Sequence, residues 1–564
     1  MFYARFLALA GLCHLAGFVV GKTYPLVNIP KNGAIASENS QCSQIGIEML
    51  ESGGNAADAM VGTVFCVGVV NIMHSGIGGG GFMLVRSDNG TYEFIDFRET
   101  APAAAFENMF TKNTDASLYG GLASGIPGEL RGLEYLHKHY GRLPWAHVMS
   151  PAIKLARYGF RVNEDLVKAI NKTSPTDFLT RDPAWAIDFA PNGRLIRVNE
   201  TITRRRYADV LEAISERGAD VFYSGPIANA TITALQGKGG TMTLEDLRDY
   251  SVVIRKPSNI TYRGYKITSC GAPAGGSVVL SILNIVQGYG NFGSPLERNL
   301  STHRLDEAIK FAYGERTNLG DPSYVSDVLQ YQDSMLSAKT ASEIRAKISD
   351  GKTHANISYY DPEGIESLNS HGTSYMATAD HTGLAISLTT TINTLFGSRV
   401  MVPETGVAMN NEMNDFSIPG SSNVYGYRPS PVNYIQPGKR PLSSIASTIV
   451  ETALDGKLYL VIGSAGGSRI ITATAQNLHH VLDENQNVAE ALRAPRFHDQ
   501  LVPTDVEFEY AYDNRTVSYM VSLGMNATWV APGDSEAHAI RLLPNGTFEA
   551  AGEPRQFNSG GLAI

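Results

Sequence analysis

Residues 371–393 read H-G-T-S-Y-M-A-T-A-D-H-T-G-L-A-I-S-L-T-T-T-I-N. Two runs rich in Thr, Ala, Ile and Leu, 373–379 and 384–391, flank the turn formers Asp380 and Gly383, which is the pattern of a β-hairpin. Folding about that turn returns Thr391 and Asn393 to the side of Thr373. A polar segment at 350–370, expected to be exposed, leads into the hairpin, and Gly372 leaves its bond to Thr373 sterically open to the neighbouring hydroxyl. A strand that begins with Thr after an exposed Gly can become a new N-terminus.

That arrangement suits an N-terminal nucleophile. A threonine hydroxyl is weak until a base takes its proton, and a free α-amine on the same residue, with a pKa of about 7.7–8.0, is a base already within reach. The amine exists only after the chain is cut. Taken alone, Thr373 is one more β-branched strand residue. The motifs around it argue otherwise.

Those motifs are G-T-S at 372–374, T-T-T-I-N at 389–393 followed by F-G-S, N-N-E-M-N-D-F-S at 410–417, P-G-K-R-P-L-S-S at 437–444 and G-S-A-G-G-S at 463–468, with D-F-R-E-T-A-P at 96–102 far upstream. In order and spacing they resemble the gamma-glutamyltranspeptidases, also called glutathione hydrolases. The resemblance departs at Tyr375 and Ala377, where the family has His and Ser, and at Asn414, where it has Asp. None of these is a position that the family uses for chemistry.

The resemblance implies an α/β fold, a four-layer αββα sandwich of the N-terminal nucleophile hydrolase type, made by two autoproteolytic subunits, 22–372 and 373–564, that form one folded unit. It implies that Thr373 cuts the chain after Gly372 and then cleaves the gamma-glutamyl bond of glutathione or a related amide, with water or an amino acid or dipeptide as acceptor. Thr391 and Asn393 are expected to position the nucleophile and its amine. Arg98 and the pair Ser443–Ser444 would face the substrate α-carboxylate, and Glu412 and Asp415 its α-amine, so that together they select a zwitterion. Tyr425 resembles the lid tyrosine of bacterial members, within a Pro- and Gly-rich loop at 417–441. Gly466 and Gly467, at the start of a helix expected over 469–482, look like the oxyanion hole. No metal or organic cofactor is called for.

A chain of 564 residues, 43% of them hydrophobic, can bury a large core, and length alone would allow three or four domains. Its net charge of −9 and the lack of a basic run argue against a nucleic-acid partner. Arg5 precedes an apolar run at 6–20, interrupted by His14 and ending in Gly21–Lys22, which reads as a signal peptide over 1–21. A secreted protein is expected, with a signal-anchored membrane or vacuolar form as the alternative. Sequons at Asn89, Asn171, Asn199, Asn229, Asn259, Asn299, Asn356, Asn514, Asn526 and Asn545 lean the same way.

Of the four cysteines, Cys13 lies in the leader. Cys42 and Cys66 stand equally far from Gly54, in segments 40–52 and 55–70 that look helical on either side of Gly53–Gly54, so an antiparallel helix pair sets the two thiols side by side. We expect a Cys42–Cys66 disulfide, a spacing similar to one in animal relatives, with Cys270 free and buried. Gly76-x-Gly78-x-x-Gly81 satisfies a dinucleotide pattern but follows a helix and leads into a strand at 82–86, the reverse of the order that holds phosphate.

Amphipathic helices are expected over 128–139, 145–158, 205–217 and 303–314, a buried helix with a Gly-rich start within 271–290, and a strand at 458–462 before a glycine turn at 463–468. Two rival readings share much of this pattern: a cephalosporin-acylase-like amidase, and a catalytically inactive secreted glycoprotein of the same fold.

Overall fold

The structure, a computed structural model, describes residues 33–362, 364, 372–420 and 429–564. The leader and Tyr425 lie outside the described residues. Two antiparallel sheets are built from β1 (Gly33–Ser37), β2 (Gly80–Arg86), β3 (Tyr92–Phe97), β4 (Val253–Arg255), β5 (Ser258–Tyr262), β6 (Tyr265–Ser269), β7 (Gly372–Asp380), β8 (Ala385–Asn393), β9 (Thr448–Thr452), β10 (Leu458–Ala465), β11 (Glu536–Leu542), β12 (Phe548–Ala551) and β13 (Gly560–Ala563). The first sheet runs β13-β1-β7-β8-β2-β3-β4 and the second β12-β11-β10-β9-β6-β5. Both therefore draw strands from either side of the Gly372–Thr373 bond.

The hairpin at 372–393 lies at the middle of the first sheet. Its turn holds because Gly383 takes φ +87°, open to glycine, while the Asp380 carboxylate accepts the Thr382 N–H at 2.8 Å. The other oxygen of Asp380 accepts the Ala56 N–H at 2.9 Å and so ties the turn to the start of a helix. Tyr375, Ala377 and Ala379 join the apolar layer between the sheets, whereas Met376, Ile386 and Leu388 face the outer helices. Each large apolar side chain so buried contributes about 1.5–3 kcal/mol.

Helices complete the sandwich. α1 (Ser40–Glu51) and α2 (Ala56–Val70) cover the first sheet, and α3 (Gly276–Val286) and α5 (Arg469–Leu482) cover the second, with α4 (Arg298–Arg316) packed on α3. α2 is apolar all round because it is buried all round, and the Asn55 side chain caps it by accepting the N–H groups of Ala57 and Asp58. The layers are αββα, in one body over Lys31–Ile564 rather than several domains.

Several boundaries differ from the sequence reading for physical reasons. The polar segment before the hairpin is anchored in part: Tyr360 is buried and its hydroxyl donates to Glu307 at 3.0 Å. The helix expected over 303–314 begins at Arg298, because Ser301, Thr302 and His303 are buried without being apolar and so hide its first turn. Gly463 belongs to strand β10 and not to the turn, which is confined to 466–468: a Cβ on Gly463 would stand 2.3 Å from the ring of Tyr375. The run 76–81 serves packing, since Cβ atoms on Gly78, Gly79 and Gly81 would strike the backbone oxygens of Ala408, Thr391 and Thr389 at 2.1 Å.

Cys42 and Cys66 are joined, with their Cα atoms 5.4 Å apart, and Cys270 is free and buried. Mass spectrometry of unreduced peptides should therefore find 42 linked to 66, with Cys270 alkylating only after unfolding; free alkylation of Cys42 and Cys66 in the native protein would refute the bridge. Nine sequon asparagines are exposed, while Asn299 is half-buried and its side-chain oxygen accepts the Thr516 hydroxyl at 2.8 Å.

Candidate active site

Strand β7 opens with Gly372, which is buried and not exposed as the sequence suggested. A Cβ there would lie 2.5 Å from the carbonyl carbon of Thr394, so only glycine lets the two backbones approach this closely. The register between β7 and β8 slips between Thr391 and Asn393, where Asn393 adopts φ +73°. A bulge at the head of a hairpin re-aims side chains. Here it turns Thr391 Oγ1 toward the bond that precedes Thr373.

The hydrogen bonds around Thr391 settle its protons. Its hydroxyl donates to the Gly372 carbonyl oxygen at 2.8 Å and accepts the Asn393 N–H at 2.7 Å. Thr373 Oγ1 stands 3.2 Å away. With the single Thr391 proton committed to Gly372, Thr373 is the donor of that contact and keeps its lone pairs for the neighbouring carbonyl carbon. Asn393 donates through Nδ2 to the Asn411 carbonyl at 2.9 Å, and its Oδ1 is buried with no partner. Thr391→Val, which keeps the shape and removes the donor, should slow the proposed cutting after Gly372 by about fivefold to 150-fold, the rate equivalent of a hydrogen bond of about 1–3 kcal/mol. Appearance of the small fragment on a denaturing gel measures it, and a wild-type rate would dismiss this contact from the reaction.

One small pocket of 20 Å³ is lined by Thr373, Thr391 and Asn393 together with Arg98, Glu412, Asp415, Ser443, Ser444, Ile445, Gly467 and Ile470. Gly466 adjoins Gly467, both in positive-φ conformations, at φ +117° and +61°. Of the residues expected at the site, all that are described thus lie in or beside one cavity. Arg98 is 1% exposed, just past β3.

The sequence pattern assigns Arg98 to a ligand α-carboxylate and the two carboxylates to its α-amine. They are found on each other, the guanidinium donating one nitrogen to Glu412 and another to Asp415. Burial lowers the affinity of Arg98 for its proton, but Glu412, Asp415 and Glu99 outweigh burial and raise it, so the cation persists. Burial raises the Glu412 carboxyl well above the usual range against the pull of Arg98, and Glu99 and Asp415 push it further. Glu412 Oε2 and Ser444 Oγ are buried and unpartnered. Ser443 Oγ accepts the Ile445 N–H at 3.1 Å, which leaves its proton to give. Because a fixed cation stands among the carboxylates, the cluster is disposed toward a zwitterion rather than a metal ion.

The supporting shell carries no motif that reading the chain could pick out. Glu99 is wholly buried, pushed up to about 8 by burial despite Arg98, and neither of its carboxyl oxygens has a hydrogen bond. Asp96 accepts the Arg98 N–H at 3.0 Å and pairs with Arg255 at 2.6 Å and Arg440 at 3.1 Å, so the basic pair before Ser443–Ser444 holds the segment in place. Lys439 does the same by donating to the carbonyls of Val432 and Tyr434. Behind the nucleophile, Ser374 donates to Glu38, which is paired with His74 at 2.7 Å. These groups are scattered through the chain, and only the sheet order brings them together.

Comparison with known proteins agrees with this geometry. The sequence model described as gamma-glutamyltranspeptidase matches residues 42–562. The chain belongs to the gamma-glutamyltranspeptidase family. Among gamma-glutamyltranspeptidase relatives, the glutathione hydrolase proenzyme of Arthroderma benhamiae is 55% identical over 94% of this chain and 93% of its own. The crystal structure of a cephalosporin acylase from Bacillus halodurans superposes with a TM-score of 0.82 at 27% identity, covering 97% of this chain and 99% of that one. The gamma-glutamyltranspeptidase of Helicobacter pylori superposes with a TM-score of 0.51 at 31% identity, covering 56% of this chain and 91% of that chain.

Proposed function

We propose that this gamma-glutamyltranspeptidase is a self-processing N-terminal threonine hydrolase that cleaves gamma-glutamyl amides, glutathione among them, through a Thr373 ester. The observation that carries the reading is Thr373 Oγ1 set 3.2 Å from Thr391 Oγ1, in the pocket that also holds Arg98, Glu412 and Asp415.

In the precursor, Thr373 Oγ attacks the Gly372 carbonyl carbon while the Thr391 hydroxyl supports the oxygen. The C–N bond breaks, the nitrogen becomes the Thr373 amine, and water hydrolyses the resulting ester to give subunits ending at Gly372 and beginning at Thr373. In the mature enzyme the amine takes the Thr373 hydroxyl proton and passes it to the leaving nitrogen, with Asn393 Oδ1 to hold the amine. N–H groups of the Gly466–Gly467 turn would receive the oxyanion, each worth about 2.7–4 kcal/mol. Water, or the amine of an amino acid or dipeptide, then takes the glutamyl group.

Substrate binding on this reading is an exchange of partners. The ligand α-carboxylate takes over the Arg98 fork with help from Ser443 and Ser444, while its ammonium receives the released Glu412 and Asp415 carboxylates. Opposite charges stay paired throughout, which spares the burial of an uncompensated charge. We further place the protein in the secretory pathway, a reading supported by the disulfide and by the exposed sequon asparagines.

The test is hydrolysis of a gamma-glutamyl anilide against its des-carboxy analogue, 4-aminobutyryl anilide, each with and without glycylglycine. Strong preference for the glutamyl donor, with added turnover when glycylglycine is present, is expected. Equal rates on both would move the acylase-like amidase ahead, and a single uncut, inactive chain would favour the inactive glycoprotein.

A further inference from the structure

A cavity also lies well away from Thr373. A space of 220 Å³ opens at the far end of α5, lined among others by Arg298, Gln476, His479, His480, Glu484 and Tyr512. His479 lies ten residues beyond Arg469, so about 15 Å of helix separates it from the glycine turn. None of its lining residues belongs to the Thr373 pocket.

The side chains there are arranged around an unmet valence. Asp483 can only accept, so His479 Nδ1, 3.0 Å from Asp483 Oδ2, carries a proton. Asp483 is itself fixed by the Tyr262 hydroxyl at 2.6 Å and Arg263 Nε at 3.0 Å. His479 Nε2 then faces Glu484 Oε1 at 3.7 Å, beyond a hydrogen bond. In the neutral ring this sets a lone pair against a carboxylate oxygen, a contact that asks for a cation between them. The other oxygen of Glu484 lies 2.8 Å from His480 Nδ1, and the donor atoms of His479, His480 and Glu484 are all within 4.8 Å of one another.

We propose that His479 Nε2, His480 Nδ1 and the Glu484 carboxylate form a binding site for one divalent transition-metal ion, zinc by preference, with its fourth position open to the cavity. Two imidazoles and a carboxylate suit zinc, whose bonds of about 2.0–2.2 Å in tetrahedral geometry place donors about 3.3 Å apart, between the 2.8 and 3.7 Å found here. Asp483 supplies the carboxylate that orients a ligating imidazole from behind. The ion replaces the proton that His480 shares with Glu484, so that proton leaves on binding or moves to His480 Nε2. In the second grouping of this type among the described residues, Glu38, His74 and Glu536, Glu38 is already engaged by Ser374 and His74.

The experiment uses the full protein without a histidine tag, stripped with a chelator and dialysed against Zn2+ and, separately, Co2+. One equivalent of zinc per chain is expected, with the visible absorption of tetrahedral cobalt and a higher Tm in the presence of zinc. Glu484→Gln and His480→Ala should each weaken binding at least tenfold, and Asp483→Asn by about 10–100-fold. Their anilide turnover in metal-free buffer should stay at the wild-type level, which also shows that they fold. Absence of stoichiometric binding to the wild type, or binding that survives both ligand substitutions, overturns the site. Failure of the glutamyl reading would remove only the turnover control: metal stoichiometry, cobalt absorption and the Tm of each variant do not depend on the donor, and a wild-type Tm in metal-free buffer then shows that the variants fold.

Discussion

Thr373→Ala should yield one uncut polypeptide of precursor length with no measurable turnover, because on the proposed mechanism the same hydroxyl opens the chain and carries the acyl group. The geometry makes the loss complete rather than partial. Among the groups around the Gly372 carbonyl, Thr391 is already a donor to its oxygen and is held by the Asn393 N–H, so it is not free to attack in place of Thr373. Thr373→Ser keeps a hydroxyl and an amine but loses the methyl that restricts χ1, so it should be cut and turn over more slowly. A denaturing gel gives the first readout and N-terminal sequencing of the small fragment the second. A fragment beginning anywhere but residue 373 would sink the assignment.

Arg98→Ala should cost about 2–5 kcal/mol in kcat/KM toward gamma-glutamyl donors, since it leaves the ligand carboxylate unpaired in a partly dry pocket. It also strands Glu412 and Asp415, which are held by that guanidinium, so a lower Tm is expected alongside. The two effects separate by substrate. Loss of recognition abolishes the preference for gamma-glutamyl anilide over 4-aminobutyryl anilide, whereas mere destabilisation lowers both alike. Arg98→Lys should recover part of the loss, offering a point charge in place of a planar fork. Cutting after Gly372 should proceed, because that bond presents no carboxylate to position 98. A variant that kept the full preference would remove Arg98 from substrate recognition.

The sequence disclosed most where local chemistry and geometry coincide. The hairpin could be read because its turn demands Gly383, and the helix over Arg469–Leu482 because an apolar stripe begins just after a glycine turn. Residues expected at the site from six separate motifs lie around one cavity, apart from Tyr425, which lies outside the described residues. What stayed hidden depends on sheet order. Glu99 and Asp96 sit in the same motif as Arg98 and both are buried, yet nothing in D-F-R-E tells which acid is left without a hydrogen bond and which pairs with arginines more than 150 residues away. Gly372 was misjudged as exposed because its role, close approach to the Thr394 backbone, is a tertiary fact. The mutual pairing of Arg98 with Glu412 and Asp415 follows from charge alone, but only once the three are known to share a space.

The interleaving of strands has a consequence for the history of each molecule. Along the first sheet β13 and β7 flank β1, and β8 adjoins β2; in the second, β9 adjoins β6. Each of these junctions joins a strand from before residue 373 to one from after it. If the bond is opened as proposed, the two chains would share backbone ladders that dilution does not separate, and exchange of a subunit between molecules would require unfolding. On that reading the uncut chain is its own assembly template, consumed when it has served. A cut enzyme that is denatured would have to find its registers from two chains instead of one, so its persistence is governed by how slowly it opens and not by how readily it refolds.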